Sequence, residues 1–131
     1  MAQGSLREES HKLIARANEN IDEMRILLES SYFFGAVNRA YYAIFHAVSA
    51  LLLVDGKQFS SHKALISYFG KHYSKTGRVP TDFHRIFLDA YAIQQRADYD
   101  YDAVVSREQA QGIASNARKI VKYVENKINE Y

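Results

Sequence analysis

Apolar side chains recur at three- and four-residue steps along nearly the whole chain, and no alternating run flanked by hairpin turns interrupts that rhythm. A chain with this pattern buries its apolar surface as helix stripes. Leu13, Ala17, Ile21, Met24 and Leu28 form the first stripe, predicting a helix over about 6–29 whose other face is densely charged and wet. A second helix over about 31–54 follows almost at once, ended by the turn-forming Asp55-Gly56, so the two form an antiparallel hairpin.

Ser60 or Ser61 caps a third helix through Tyr73. The stretch "SKTGRVPTD" breaks it, and Pro80 and Thr81 open a fourth helix to about Gln95. Pro80 is the chain's one proline, so every other long segment is free of that breaker. "RADYDYDAVV" reads as a polar-aromatic connector, tied down by pairing of Arg96 with Asp98 and by packing of its tyrosines. Ser106 and Gln109 make a capping-box pattern for a last helix, with Ile113, Ala117, Ile120, Val124 and Ile128 on one stripe. The expected fold is all-α: an up-and-down bundle of four to five helices in one domain, residues 1–131.

Composition narrows the function. With 47% hydrophobic and 24% charged residues the chain folds rather than remaining disordered. The absence of cysteine excludes disulfides, thiolate nucleophiles and Cys-ligated metal. The five histidines lack metal-ligand spacing, no Gly-rich phosphate loop occurs, and no nucleophile elbow is present, so neither a metal nor a cofactor is expected. The polar N-terminus does not read as a signal peptide and the run from Ala40 to Val54 is short for a membrane span, so a cytoplasmic protein without membrane attachment is expected. Charge is uneven. Between Asn38 and Arg85 stand seven cations, two anions and four of the five histidines, a distribution that fits either a polyanionic partner such as RNA or a solvated surface.

The stretch "NRAYYAIFHAVSALLLV", Asn38 to Val54, holds an arginine and a histidine inside an otherwise apolar helix. Seven residues are about 700° of helix, so Arg39 and His46 point within roughly 20° of each other, about 10 Å apart. Gly35, Tyr42, Ala43, Ser49 and Ala50 share that face, while Val37, Tyr41, Ile44, Phe45, Val48 and Leu52 lie mainly opposite. Small residues admit a close neighbour, and a polar pair at such a seam lines a cleft between helices or subunits. The alternative is structural: Arg39 extends to solvent and His46 bonds a backbone carbonyl.

With "AVNRAYYAIFHAVSALL", "SSHKALISYFGKHY" and "RADYDYD" before a terminal helix, the chain resembles the HEPN domain family, particularly its small stand-alone prokaryotic members. The resemblance spans almost the whole chain. HEPN ribonucleases carry an arginine and a histidine separated by four to six residues, and Arg39 and His46 enclose six. The resemblance implies a bundle that dimerises, joining the motifs of two chains in one cleft. It implies a metal-independent endoribonuclease of toxin type, with Arg39 and His46 catalytic and a minimal nucleotidyltransferase as antitoxin. The alternative it leaves open is a non-catalytic nucleotide-binding or adaptor subunit for such a nucleotidyltransferase. Asn38 and Tyr42 beside the motif, and Lys63 and Lys71 in the basic middle, are the expected substrate-binding residues. Lys71, His72, Lys75 and Arg78 either guide RNA or form a solvated face, and His62 either touches phosphate or serves the helix start. Val48 stands where toxins inactivated by nucleotide transfer carry tyrosine, so modification at that position is excluded. Tyr41, Tyr42 and the "YDYD" tyrosines remain as alternatives.

Overall fold

The computed structural model describes residues 2–130, with side chains from residue 4 onward. Five α-helices follow one another: α1 (Ala2–Glu29), α2 (Phe33–Val54), α3 (His62–Phe69), α4 (Phe83–Tyr99) and α5 (Arg107–Asn129). A single π turn, Gly70–Ser74, continues α3. The described residues contain no strand. The four long helices run alternately up and down, and α3 with its π turn bridges α2 to α4.

Helix α2 is the centre of the bundle, with twelve of its 22 residues buried. By length and composition it is apolar enough to cross a membrane, but most of that apolar surface faces the other helices. Val37, Ile44, Val48, Leu51 and Leu52 share one buried core with Phe69, Phe83 and Phe87 and with Ile120, Val124 and Ile128 of α5. The small-residue face is buried as well, against α1. Ser10, fully buried, donates through Oγ to the Ala50 carbonyl at 3.0 Å, and Leu27 packs so close to Gly35 that an added Cβ would stand 3.1 Å from Leu27 Cδ1. The small residues of α2 therefore serve a neighbour in the same chain.

The caps follow the local sequence. Ser61 accepts from the Ala64 amide at 3.0 Å, and Ser106 and Gln109 close both halves of a capping box at 3.1 Å. The stripes of α1 and α5 turn inward as their periodicity requires, and Ile113, Ala117, Ile120, Val124 and Ile128 are all buried.

Helix α1 begins at Ala2, earlier than expected, and α4 begins at Phe83 after its N-cap Asp82, later than the expected start at Pro80 and Thr81. Three further differences have a local physical reason. Ser31 ends α1 instead of opening α2: it adopts a left-handed φ of 63°, the Tyr32 amide reaches back to the Leu27 carbonyl at 2.8 Å, and the Ser31 amide to that of Leu28 at 3.1 Å. That is a Schellman closure with serine in glycine's usual place. The third helix widens at Gly70, where the Lys75 amide bonds the Gly70 carbonyl at 2.9 Å, five residues back. The His84 ring of α4 lies on that glycine so closely that a Cβ would meet its Nε2 at 2.4 Å. The fourth helix continues to Tyr99, absorbing the start of the expected connector. Inside it Asp98 accepts from Gln94 Nε2 at 2.9 Å, a bond one turn back, in place of the expected pairing with Arg96.

A polar cleft between the first two helices

Arg39 and His46 open into one cleft of about 500 Å³ between α1 and α2, lined also by Asn38 and Tyr42 and, from α1, by Arg16, Glu19, Asn20 and Glu23. The two motif residues are joined by a hydrogen-bond chain that runs through α1. His46 Nδ1 lies 2.8 Å from Asn20 Oδ1, Asn20 Nδ2 donates to Glu23 Oε1 at 3.1 Å, and the same oxygen takes an ion pair from Arg39 Nε at 3.1 Å. Arg39 Nη1 also donates to Asn38 Oδ1.

The chain fixes atom roles. A carboxylate only accepts, so the nitrogen of the Asn20 amide must face Glu23 and its oxygen must face His46. His46 then carries its hydrogen on Nδ1, which leaves Nε2 as the lone pair of the neutral ring. Burial lowers the His46 pKa below the ordinary 6.5; Arg16 and, more weakly, His62 push it the same way, against a rise from the Tyr42 backbone. The neutral, base-competent ring is favoured near pH 7.

Asn20 and Glu23 were not among the residues expected from the sequence. The signal for Asn20 lies in the apolar stripe: it follows Ala17 by three residues and precedes Met24 by four, so a polar amide stands where core is due. It is 8% exposed. Glu23 follows one turn later on the same side of α1, at the stripe's rim. The cleft's charges cancel, since Arg16 and Arg39 face Glu19 and Glu23.

An aromatic cluster lies beside the cleft, reached through Tyr42, whose ring meets His62 edge-on at 6.1 Å. His62 stacks on Phe45 with centroids 4.1 Å apart, and its Nδ1 lies 2.8 Å from the buried Tyr41 hydroxyl. Burial, with Tyr42 and Tyr91 nearby, raises the Tyr41 pKa, so it remains a phenol. His62 thus braces the start of α3 against α2, and Ser61 performs the capping.

Lys63 and Lys71 do not reach this cleft. Both line a separate cavity between α3 and α4. Arg78 is held against the bundle: its Nη2 pairs with Asp55 Oδ2 at 2.9 Å and its guanidinium covers the Tyr73 ring at 4.2 Å. The Tyr73 hydroxyl also donates to Asp55. His72 packs on Tyr68 at 4.2 Å.

The sequence model of the HEPN domain matches residues 10–127. The chain belongs to the HEPN domain family. Among HEPN relatives, a protein of Methanocaldococcus jannaschii named "Putative toxin MJ0605" is 34% identical over 125 residues, covering 95% of this chain and 92% of that protein. A "UPF0332 protein" of Thermotoga maritima is 37% identical over 84 residues, 64% of each chain. A second M. jannaschii protein, "Putative toxin MJ0142", is 30% identical over 105 residues, covering 80% of this chain and 71% of that one.

Proposed function

We propose that this HEPN protein is a metal-independent endoribonuclease of toxin type, with Arg39 and His46 as its catalytic pair. The observation that carries the reading is the Asn20 contact, which holds His46 with Nδ1 protonated and Nε2 free while burial keeps the ring neutral. Nε2 takes the proton of an RNA 2′-hydroxyl, and the 2′-oxygen attacks the adjacent phosphorus as the bond to the 5′-oxygen breaks. The leaving 5′-oxygen takes a proton from His46 of a second copy, drawn from the minor imidazolium fraction that the lowered pKa leaves near neutral pH. The products are a 2′,3′-cyclic phosphate and a 5′-hydroxyl. Arg39, steadied by Glu23 and Asn38, faces the phosphate and the charge that builds on it, and Asn38 and Tyr42 line the strand's path. A homodimer supplies the second histidine, a nucleotidyltransferase antitoxin is the regulatory partner, and the cytoplasm is where the substrate lies.

The deciding experiment compares pure wild-type protein with His46→Ala on single-stranded RNA in chelator, with end-group analysis of the fragments. Wild type is expected to leave cyclic phosphate ends, and His46→Ala to lose about 100-fold or more in rate. Equal cleavage by both proteins would end the proposal.

One observation favours a second reading. Two carboxylates offset the two arginines of the cleft, a balance poorly suited to holding a polyanion. A non-catalytic adaptor subunit for a nucleotidyltransferase fits that balance. Absence of RNA cleavage and of growth arrest on expression would select it.

A further inference from the structure

The cavity between α3 and α4, about 810 Å³, is basic where the Arg39–His46 cleft is charge-balanced. Lys63, Lys71 and Lys75 stand around it, joined by His84, Thr81 and Ser67, and no carboxylate lines it. None of the three lysines forms an ion pair among the described residues. Three unneutralised ammonium groups around one hollow repel each other, and an anion relieves that repulsion.

The lining is mainly apolar elsewhere, through Ile66, Leu88 and Tyr91. An aromatic ring beside aliphatic side chains suits the flat face of a base. Ser74 points to a ligand independently of charge. It lines the cavity, is 2% exposed, and its hydroxyl is the one buried side-chain polar atom without a hydrogen-bond partner among the described residues. A buried hydroxyl left unpaired is costly, and a bound acceptor removes the cost. The π turn at Gly70–Ser74 is what places Ser74 and Lys71 on this wall, and local π geometry recurs at functional sites.

We propose that the α3–α4 cavity binds a nucleotide, its phosphates held by Lys63, Lys71 and Lys75 and its base laid against Leu88 and Tyr91. The nucleotide is either free or one unit of an RNA strand. The volume falls within the roughly 300–1,000 Å³ of small-ligand pockets. Binding here is independent of cleavage at His46, so the two proposals stand or fall separately.

The test is calorimetric titration of the full chain with a non-hydrolysable ATP analogue and, separately, with a 2′-O-methyl RNA dodecamer that cannot be cleaved. Three proteins are compared: wild type, the double variant Lys71→Glu/Lys75→Glu, and Arg39→Ala. Lys71 and Lys75 are exposed, so charge reversal there leaves the core intact, which circular dichroism checks. Binding of the ATP analogue that weakens about tenfold or more in the double variant and survives Arg39→Ala identifies a free nucleotide. The same pattern with the dodecamer alone identifies an RNA-borne one. Amide shifts at Ser74, Thr81 and Tyr91 are expected in either case. The proposal is overturned if neither ligand binds, if charge reversal leaves binding unchanged, or if Arg39→Ala alone abolishes it.

Discussion

His46 Nδ1 and Asn20 Oδ1 lie 2.8 Å apart across the α1–α2 seam, and that contact selects which imidazole nitrogen is left for chemistry. An amide oxygen accepts whether the ring is neutral or charged, so it orients His46 without stabilising the imidazolium as a carboxylate would. Asn20→Asp makes that change, and it also turns the amide's bond to Glu23 into a contact between two carboxylates. With a carboxylate facing Nδ1, the His46 pKa is expected to rise by about 1–2 units, read by NMR titration of the ring protons. If RNA cleavage is base-catalysed by His46, the acidic limb of its pH–rate profile moves upward by the same amount. A His46 titration unaltered by Asn20→Asp would mean that the contact is not made in solution.

The lowered pKa of His46 also makes stability depend on pH. Below the ordinary value of 6.5 the unfolded chain takes up a proton that the folded ring resists, so acid favours unfolding. The stabilising contribution is whole above about pH 6.5 and is lost as pH falls from there toward the depressed folded value. His46→Gln cannot titrate. The difference in denaturant midpoint between wild type and His46→Gln should therefore shrink or reverse in sign on going from about pH 8 to about pH 5. A constant difference across that range would contradict the assignment.

Ser31 carries backbone strain that a smaller residue removes. Its φ of 63° costs a side-chain-bearing residue about 1 kcal/mol or more, and the Schellman closure demands that conformation. Against this, Ser31 Oγ accepts from Arg107 Nη2 at 3.0 Å, an exposed bond of small worth. Ser31→Gly is expected to stabilise the protein by about 0.5 kcal/mol, raising Tm by about 2 °C in a calorimetric scan. Ser31→Ala, which keeps the strain and loses the bond, should do the reverse. Equal Tm values for the two variants would show that the turn is not strained.

The helices and their stripes were legible because a 3.6-residue period is local, and each of Leu13, Ala17, Ile21, Met24 and Leu28 announces its face without reference to any other segment. The caps at Ser61 and Ser106 were legible for the same reason. The Ser31 turn was not, since serine gives no hint of a left-handed residue and glycine, the usual signal, is absent. The π turn was equally hidden: the His84 ring that packs on Gly70 there reaches it from another helix. At the cleft, Arg39 and His46 stood out as polar residues in an apolar run. Their partners Asn20 and Glu23 sit on α1, and only the pairing of the two helices brings them opposite. Lys63 and Lys71 showed their charge in the sequence, but not that they turn toward α4 and away from the motif.

Glu23 stands at the junction of stability and chemistry. Its pair with Arg39 is 3.1 Å long, but the two side chains are 43% and 40% exposed, so the pair adds no more than about 1 kcal/mol to folding. Glu23→Gln is therefore expected to leave Tm nearly unchanged. Its effect on an RNA substrate differs in kind. The carboxylate repels an arriving phosphate and competes with it for the guanidinium, while it also aims Arg39 and anchors Asn20. Glutamine keeps an acceptor for Arg39 Nε and removes the charge, so KM should fall about two- to fivefold with little change in kcat. Glu23→Ala removes the charge and the anchor together. Its KM should fall similarly, but kcat should drop by about tenfold as Arg39 and the Asn20–His46 contact loosen. Steady-state cleavage of a labelled oligonucleotide separates the two terms. If both variants leave KM unchanged, Glu23 does not face the phosphate, and the substrate must enter the cleft from the His46 side alone.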